Sequence, residues 1–389
     1  MRSKTFNKVS IVKRILIDAN PTVPYLVSGR MTGIGRTNLE LINSLGKIRE
    51  SLPFEVALYT QNLKGVSAKQ LRTGFKSVHA YLRNNEKGNL WAKRLRLREI
   101  LGRYDLQHIT HNYEQVVDPS RCIVTVHDAF YMKFEVENFD YTAYRKTYPP
   151  FIQKCRHIIT CSESSKSDIV ETMGIDPSKV TVIPWGVDHD SLYVERDLAE
   201  TKRVLSNELG LERPYFLSVS CDAGRKRTPE FIKAYLAIQN PKNDLVLVWG
   251  NVPEYVRASV KGNPRIHFLS GVSADNLRRL YNCATASINP TSYEGFGLPI
   301  LEAMACACPA ITCHNSSLPE VGADVAIYID EPISSSLPKL LLAIEAGKVD
   351  LKTHALAGPQ QAARFTWERS ASLTARVYEQ ELDKIHSAR

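Results

Sequence analysis

The stretch TASINPTSYEGFGLPILEAMACACPAITCH, residues 285–314, contains two short apolar segments with a helix-like segment between them. Residues 285–290 and 309–314 are typical of buried β-strands. The apolar run ILEAMAC between them suits a helix whose first turn holds Pro299. A strand, a helix and a second strand in this order predict two parallel strands joined by a helical crossover.

The same alternation extends over the rest of the chain in two series. The first series predicts strands at 14–19, 55–60, 106–110, 122–127, 157–162 and 180–184, and the second at 215–220, 245–250, 266–270, 285–290 and 309–314. Strands that alternate with helices form parallel sheets covered on both faces. The sequence therefore predicts an α/β protein with two Rossmann-like parallel-sheet domains. We expect an N-terminal domain over 1–190, a C-terminal domain over 191–365, and a helix over 366–389 that packs back on the first domain.

The composition is that of a soluble enzyme with anionic partners. The 389 residues are 43% hydrophobic and 23% charged, and the net charge is +9. There is no apolar run long enough to cross a bilayer, so we expect a cytoplasmic protein. The eight cysteines lack the spacing of a metal or redox site, and no motif supports nucleic-acid binding. The basic stretch at 87–103 predicts a surface helix, with peripheral contact to an anionic membrane as the functional alternative.

Glu294 and Glu302 lie on either side of a glycine-rich helix entrance. Backbone amides of Gly295, Phe296 and Gly297 can meet a phosphate there, assisted by the helix dipole. Carboxylates beside a diphosphate are repelled by it, so the natural partners of the two glutamates are sugar hydroxyls. Two sugars around one diphosphate describe a nucleotide-sugar. Two solvated glutamates at a helix start remain the alternative.

Three further groups follow predicted strands. Gly33, Ile34 and Gly35 open a helix and suit close approach to an anion, or form a plain turn. Arg225 and Lys226, in the segment CDAGRKRTPEF, can neutralise a diphosphate, or are solvated loop cations. His127, in TVHDAF, ends an apolar strand and is a candidate active-site histidine or a structural one.

With these groups in order, the chain resembles a retaining glycosyltransferase of glycosyltransferase family 4. The segments that carry the resemblance are TGIGRTNLELINSL, VTVHDAFY, VIPWGVD, GRKRTPEFIKAY, TSYEGFGLPILEAM and FTWERSA. The resemblance implies the GT-B fold, in which two Rossmann-like domains face each other across a cleft and a C-terminal helix crosses back. It implies that the N-terminal domain, 1–190, takes the acceptor and that the C-terminal domain, 191–365, holds the nucleotide-sugar donor. It also implies metal-independent transfer without a cofactor.

The resemblance further implies roles for individual residues. Glu294 would hold the donor sugar, with the amides from Gly295 to Leu298 nearby, and Glu302 would hold the ribose. Arg225 and Lys226 would stabilise the diphosphate, His127 would lie near the reacting sugar, and the loop from Gly33 to Gly35 would border the phosphates and the acceptor. Many members have arginine where this chain has Ser220, so we expect the positive clamp to be either smaller here or supplied differently, with a larger contribution from Arg225.

The motifs are most similar to those of bacterial mannosyltransferases of surface-polysaccharide and lipopolysaccharide synthesis. The resemblance thus favours transfer of mannose from GDP-mannose, ahead of a UDP-sugar, to a saccharide or lipid-linked saccharide. A non-catalytic nucleotide-sugar-binding subunit and a sugar-nucleotide epimerase on the same architecture are the alternatives.

Overall fold

The computed structural model describes residues 13–29, 32–111, 115–135, 140–219, 224–260 and 262–387. Within these residues the strands of the first sheet are β1 (Arg14–Asp18), β2 (Glu55–Gln61), β3 (Lys76–Ala80), β4 (Leu106–Ile109), β5 (Cys122–Thr125), β6 (His157–Thr160) and β7 (Val180–Val182). Their order is β3-β2-β1-β4-β5-β6-β7, and every neighbouring pair is parallel. The central strands β1, β4 and β5 are buried along almost their whole length, which requires helices on both faces.

The second sheet repeats this plan. Its strands in the described chain are β8 (Tyr215–Val219), β9 (Asp244–Val248), β10 (Ile266–Leu269), β11 (Ala286–Asn289), β12 (Ala310–Cys313) and β13 (Ile327–Ile329). The order is β10-β9-β8-β11-β12-β13, again with parallel pairs. The predicted class, two Rossmann-like α/β domains, is confirmed.

The helices in the described residues are α1 (Val23–Ser28), α2 (Gly33–Lys47), α3 (Glu86–Arg94), α4 (Leu97–Gly102), α5 (Phe130–Lys133), α6 (Tyr141–Lys154), α7 (Glu163–Met173), α8 (Leu198–Leu209), α9 (Thr228–Leu236), α10 (Glu254–Ser259), α11 (Ala274–Cys283), α12 (Leu298–Ala305), α13 (Leu318–Gly322), α14 (Ile333–Glu345), α15 (Leu351–Ala362) and α16 (Trp367–Ser387). None of the helices among these residues is both long and apolar enough to cross a membrane.

Two edge strands escaped the sequence prediction. β3 and β13 lie at the margins of their sheets and are partly exposed. The sequence of β3, KSVHA, lacks the continuous apolar run of a central strand. β13 does lie in an apolar run, VAIYI at 325–329, and the prediction missed it. The predicted surface helix at 87–103 was also wrong as a single element. The chain forms α3 and α4 there, and the break falls at Arg96, whose φ of 52° is left-handed and cannot continue a helix.

The C-terminal helix α16 crosses back onto the first domain, as expected. Buried side chains of α16, among them Ala371 and Tyr378, share a core with Ile15 and Leu106 of the first sheet. The hydroxyl of Tyr378 lies 2.6 Å from Nδ1 of His108. This packing attaches α16 to the N-terminal domain.

Candidate active site

The predicted site residues lie at the centres of the two sheets. β1 and β4 are neighbours in the first sheet, and β8 and β11 are neighbours in the second, so the strand order reverses at both places. Ligands of open parallel sheets bind beyond the carboxyl ends of the strands at such reversals. A cleft of about 1380 Å3 lies between the two domains at these ends. We call the segments after β8, β9 and β11 its C-terminal wall, and those after β1, β5 and β7 its N-terminal wall.

Lys226 and Glu294 form an ion pair on the C-terminal wall. Lys226 precedes α9 and Glu294 precedes α12, so the two loops meet through these side chains. Both side chains are largely buried, with 16% and 10% exposed. The backbone of Glu294 is also fixed, because its N–H donates to Ser316 Oγ at 2.9 Å and its carbonyl accepts from Ser317 Oγ at 2.9 Å.

Arg225 joins the two walls of the cleft. Its Nη1 lies 3.0 Å from Oδ2 of Asp128, which follows β5. Its guanidinium also lies 5.0 Å from the ring centroid of Phe130, within reach of a cation–π interaction. Its carbonyl oxygen accepts from the N–H of Ser292 at 2.8 Å. Arg227, two residues on, instead pairs with the exposed Glu331.

The glycine-rich loop before α12 touches the first domain directly. A Cβ at Gly295 would lie 2.5 Å from the carbonyl oxygen of His127, closer than real Cβ contacts come. The Gly295 carbonyl accepts from Ser162 Oγ at 2.8 Å and Ser165 Oγ at 3.1 Å. Only glycine permits this approach.

Helix α12 starts at the cleft, as the sequence predicted. Gly297, with a left-handed φ of 107°, is its N-cap, and Leu298 and Pro299 are its first two residues. All three line the cleft with Phe296. The side chain of Phe296 is nevertheless buried, and its ring lies 5.4 Å from that of Trp185. Its structural role is packing, and its backbone is the part that borders the cleft.

Glu302 does not line the cleft in this structure. It lies on α12 with 3% of its surface exposed. One carboxylate oxygen is bound by Arg36 of α2, and the other accepts from the Tyr281 hydroxyl at 3.0 Å. Glu302 is the main cause of the raised pKa of Arg36. To hold the ribose, the Glu302 carboxylate must therefore release Arg36 or Tyr281, or bind the ribose while it keeps both of these partners.

His127 lines the cleft as a neutral ring. Its Nε2 lies 2.9 Å from the carbonyl oxygen of Thr110. Because a carbonyl oxygen only accepts, Nε2 carries the hydrogen and Nδ1 is an acceptor. Burial lowers the pKa of His127 below its ordinary value, against the opposing effect of the Thr110 carbonyl. Within the described residues, Nδ1 has no hydrogen-bond partner.

The predicted glycine loop forms the N-terminus of α2. Thr32 is the N-cap, and its Oγ1 accepts from the N–H of Gly35 at 3.0 Å. Gly33 and Ile34 line the cleft. A Cβ at Gly35 would lie 2.7 Å from the carbonyl oxygen of Pro21, whereas a Cβ at Gly33 would meet nothing within 4 Å. Gly35 is thus required for the close packing of α2 on the segment that contains Pro21, whereas the absence of a side chain at Gly33 leaves space beside the cleft. Ser220 lies outside the described residues.

Sequence reasoning missed three contributors to this region. Arg36 directly follows the predicted Gly35, but its pairing with Glu302 could not be foreseen because the two residues are 266 positions apart in the sequence. Trp185 lines the cleft from the segment after β7. Phe130 and Tyr131 of α5 belong to the segment VTVHDAFY, but the sequence assigned them no role. Among the described residues, no group of three or more His, Cys, Asp or Glu side chains is placed to hold a metal ion.

Two Rossmann-like domains that face each other across a cleft with cations and carboxylates define a GT-B glycosyltransferase. Residues 31–191 match the family model described as Glycosyltransferase Family 4, and residues 213–332 match the model described as Glycosyl transferases group 1. The two glycosyltransferase models together cover most of the chain, which confirms the resemblance to glycosyltransferase family 4 that the sequence showed.

Similar proteins agree with this assignment. The O-antigen chain mannosyltransferase B of Escherichia coli is 25% identical over 379 residues, which cover 90% of this chain and 96% of that protein. Sucrose-phosphate synthase of Thermosynechococcus elongatus has the same fold, with a TM-score of 0.74 at 16% identity over 95% of this chain and 98% of that one. Anabaena HepE, solved in complex with UDP and glucose, gives a TM-score of 0.70 at 17% identity, over 95% and 100% of the two chains.

Proposed function

We propose that the protein transfers mannose from GDP-mannose to a saccharide or lipid-linked saccharide, with retention of configuration, during synthesis of a cell-surface polysaccharide. The observation that carries the proposal is the Lys226–Glu294 pair at the start of α12. It combines a cation for a diphosphate with a carboxylate for sugar hydroxyls, side by side in the cleft. The likeness to an O-antigen chain mannosyltransferase supports mannose as the sugar.

The contacts suggest how the donor is held. The diphosphate binds between the N-termini of α2 and α12, where helix dipoles and free amides favour an anion. When the donor binds, Lys226 leaves Glu294 and pairs with the phosphate instead. Glu294 then accepts hydrogen bonds from the sugar hydroxyls. Arg225 adds a second positive charge from the same loop. Because these two side chains neutralise the leaving group, we propose that transfer needs no metal ion and no cofactor.

The proposed reaction is a front-face substitution. The bond between the anomeric carbon and the phosphate oxygen breaks, and a bond to the acceptor oxygen forms on the same face. The acceptor proton passes to the departing phosphate oxygen, so no covalent enzyme intermediate is needed. The residues contribute charge stabilisation and positioning. The ring of His127, which lines the cleft, lies near the reacting sugar in this arrangement.

The experiment uses purified protein with GDP-mannose, UDP-glucose or UDP-galactose and the acceptors methyl and octyl α-mannoside. We expect GDP release that depends on acceptor, and an α-linked product by NMR. Release of no nucleotide diphosphate from any donor, with binding retained, would instead indicate a binding subunit. Conversion of the donor sugar without transfer would indicate an epimerase. Lys226→Ala is the inactive control.

We further propose peripheral contact with an anionic membrane through α3 and α4. Trp91, Leu95 and Ile100 are 54%, 50% and 61% exposed, and Lys93 and Arg94 lie among them in the chain. Exposed apolar side chains with basic neighbours suit an anionic lipid surface. Co-sedimentation with phosphatidylcholine vesicles, with and without phosphatidylglycerol, tests this. We expect binding only to anionic vesicles and its loss in Trp91→Glu/Ile100→Glu; equal sedimentation of both proteins would contradict it.

A further inference from the structure

The cleft is larger than one small ligand needs. Sites for a single small molecule usually occupy about 300–1,000 Å3, and this cleft measures about 1380 Å3. The charged groups proposed to hold the donor lie mainly on the C-terminal wall. The opposite wall therefore has room for a second molecule, which under the proposed function is the acceptor.

The N-terminal wall presents an aromatic platform. Phe130, Tyr131 and Phe134 all line the cleft from α5 and the residue after it. The rings of Phe130 and Phe134 are stacked, with centroids 5.2 Å apart and planes at 27°. Phe134 is 37% exposed, so its ring is accessible to a ligand. The three side chains give the cleft a continuous apolar surface.

The platform is supported from behind. The ring of Tyr293 lies 5.8 Å from Phe130 and 5.3 Å from Phe134. Tyr293 is itself buried, and its hydroxyl donates to Oδ2 of Asp168 at 2.7 Å. Because Tyr293 is held in place, the two phenylalanine rings pack on a fixed base. A rigid apolar surface binds a ligand with little loss of side-chain entropy.

The chemistry of this surface fits a hexose ring. One face of a hexose consists of C–H groups and packs on an aromatic ring, while its hydroxyls need polar partners at the edge. Glu135 supplies an acceptor at the rim of the cleft. Arg225 lies over Phe130, so the platform adjoins the cations proposed to hold the diphosphate. A sugar on the platform would bring a hydroxyl beside the leaving group.

We propose that Phe130, Tyr131 and Phe134 form the subsite for the acceptor sugar. The inference rests on the proposed function, because it takes the second substrate to be a saccharide. A nucleobase also stacks on aromatic rings. The platform, however, lies on α5 of the N-terminal domain, whereas the Lys226–Glu294 pair belongs to the C-terminal domain, which favours the acceptor. Binding of the base there is an alternative outcome of the test.

The test compares Phe134→Ala with Phe134→Trp, using methyl α-mannoside as the acceptor. We expect Phe134→Ala to raise the KM for acceptor at least tenfold and to leave the KM for GDP-mannose within twofold. Phe134→Trp keeps an aromatic face and should restore acceptor KM. The control Tyr255→Ala removes an exposed aromatic residue of α10 that does not line the cleft, and both constants should stay unchanged.

A binding measurement separates this inference from the proposed function. Saturation-transfer NMR with methyl α-mannoside should show a signal with the unmodified protein that Phe134→Ala abolishes, whether or not transfer occurs. If the unmodified protein fails to transfer mannose but binds the glycoside through Phe134, only the proposed function is overturned. An unchanged acceptor KM and an unchanged NMR signal in Phe134→Ala would overturn the subsite. A rise confined to the KM for GDP-mannose would also overturn it and assign the platform to the base.

Discussion

The two walls of the cleft begin from the same strand-loop-helix plan but differ in chemistry. The C-terminal wall places Lys226 and Glu294 in contact at the entrance to α12. The N-terminal wall offers the open Gly33 and the stacked rings of Phe130 and Phe134. The C-terminal wall is suited to bind charged groups, and the N-terminal wall offers open space and an apolar surface. The comparison teaches that two copies of one fold can present different chemistry to the same cleft.

The largest effect is expected on the charged wall, from Lys226→Ala. Loss of a preorganised charge at the leaving group lowers kcat by roughly 10²–10³-fold, and it leaves Glu294 buried without its partner. Steady-state GDP release measures this. The matched control is Arg227→Ala, because Arg227 is the next residue but pairs with the exposed Glu331. Equal losses in both variants would mean that general positive charge, and not the pair, matters.

The link between the walls is tested by Arg36→Ala. Arg36 is partly exposed, whereas Glu302 is buried, so removal of the arginine leaves a buried carboxylate with one partner fewer. We expect a loss of about 2–4 kcal/mol in the free energy of unfolding. Glu302→Gln should cost less, since the arginine that remains can reach water. Urea denaturation measures both.

The double variant Arg36→Ala/Glu302→Gln sharpens this result. Without the carboxylate charge, the loss of Arg36 should cost much less, so the double variant should be more stable than Arg36→Ala alone. If the two losses simply add, the pair does not couple the domains.

A smaller effect is expected from Gly295→Ala, at the point where the walls touch. The added Cβ would meet the carbonyl oxygen of His127 at 2.5 Å, so the loop must shift. We expect a cost of about 1–3 kcal/mol and a lower kcat, because the loop also holds Glu294. Thermal unfolding and GDP release are the measurements.

Gly33→Ala is the counterpart on the other wall. A Cβ there meets nothing within 4 Å, so stability should change by less than about 0.5 kcal/mol. If a phosphate approaches the α2 N-terminus, the KM for donor should still rise. A stability loss as large as that of Gly295→Ala would contradict the contrast between the two glycines.

The two walls were also unequally visible in the sequence. The central strands were predicted because a buried parallel strand is a continuous apolar run, whereas the edge strand β3 has the sequence KSVHA and no such run. β13 was missed although its three residues belong to an apolar run. The proximity of Lys226 and Glu294 followed from both lying at carboxyl strand ends. The ion pair between Lys226 and Glu294 could not be predicted from the sequence, and neither could the pair between Arg36 and Glu302. Both ion pairs depend on how the loops and domains pack.

The smallest predicted effect concerns pH and again lies on the N-terminal side. Glu40, one turn beyond Arg36 on α2, has a pKa raised to about 7. Burial is the main cause, and repulsion by Asp188 and Glu368 adds to it, while Arg36 and Lys47 oppose it. The folded protein therefore binds a proton at Glu40 that the unfolded chain releases near pH 4.5.

Since the folded state holds more protons between these two pKa values, stability falls as pH rises from about 4.5 through 7. Glu40→Gln removes the charge, so it should be more stable than the natural protein at pH 8.5, by about 1 kcal/mol after allowance for partial exposure. At pH 5.5 the difference should be much smaller. Urea denaturation at the two pH values measures it.

The control Glu50→Gln changes a fully exposed glutamate whose pKa Arg49 lowers, so it should not alter the difference between pH 5.5 and 8.5. An equal response in both variants would place the pH dependence outside α2.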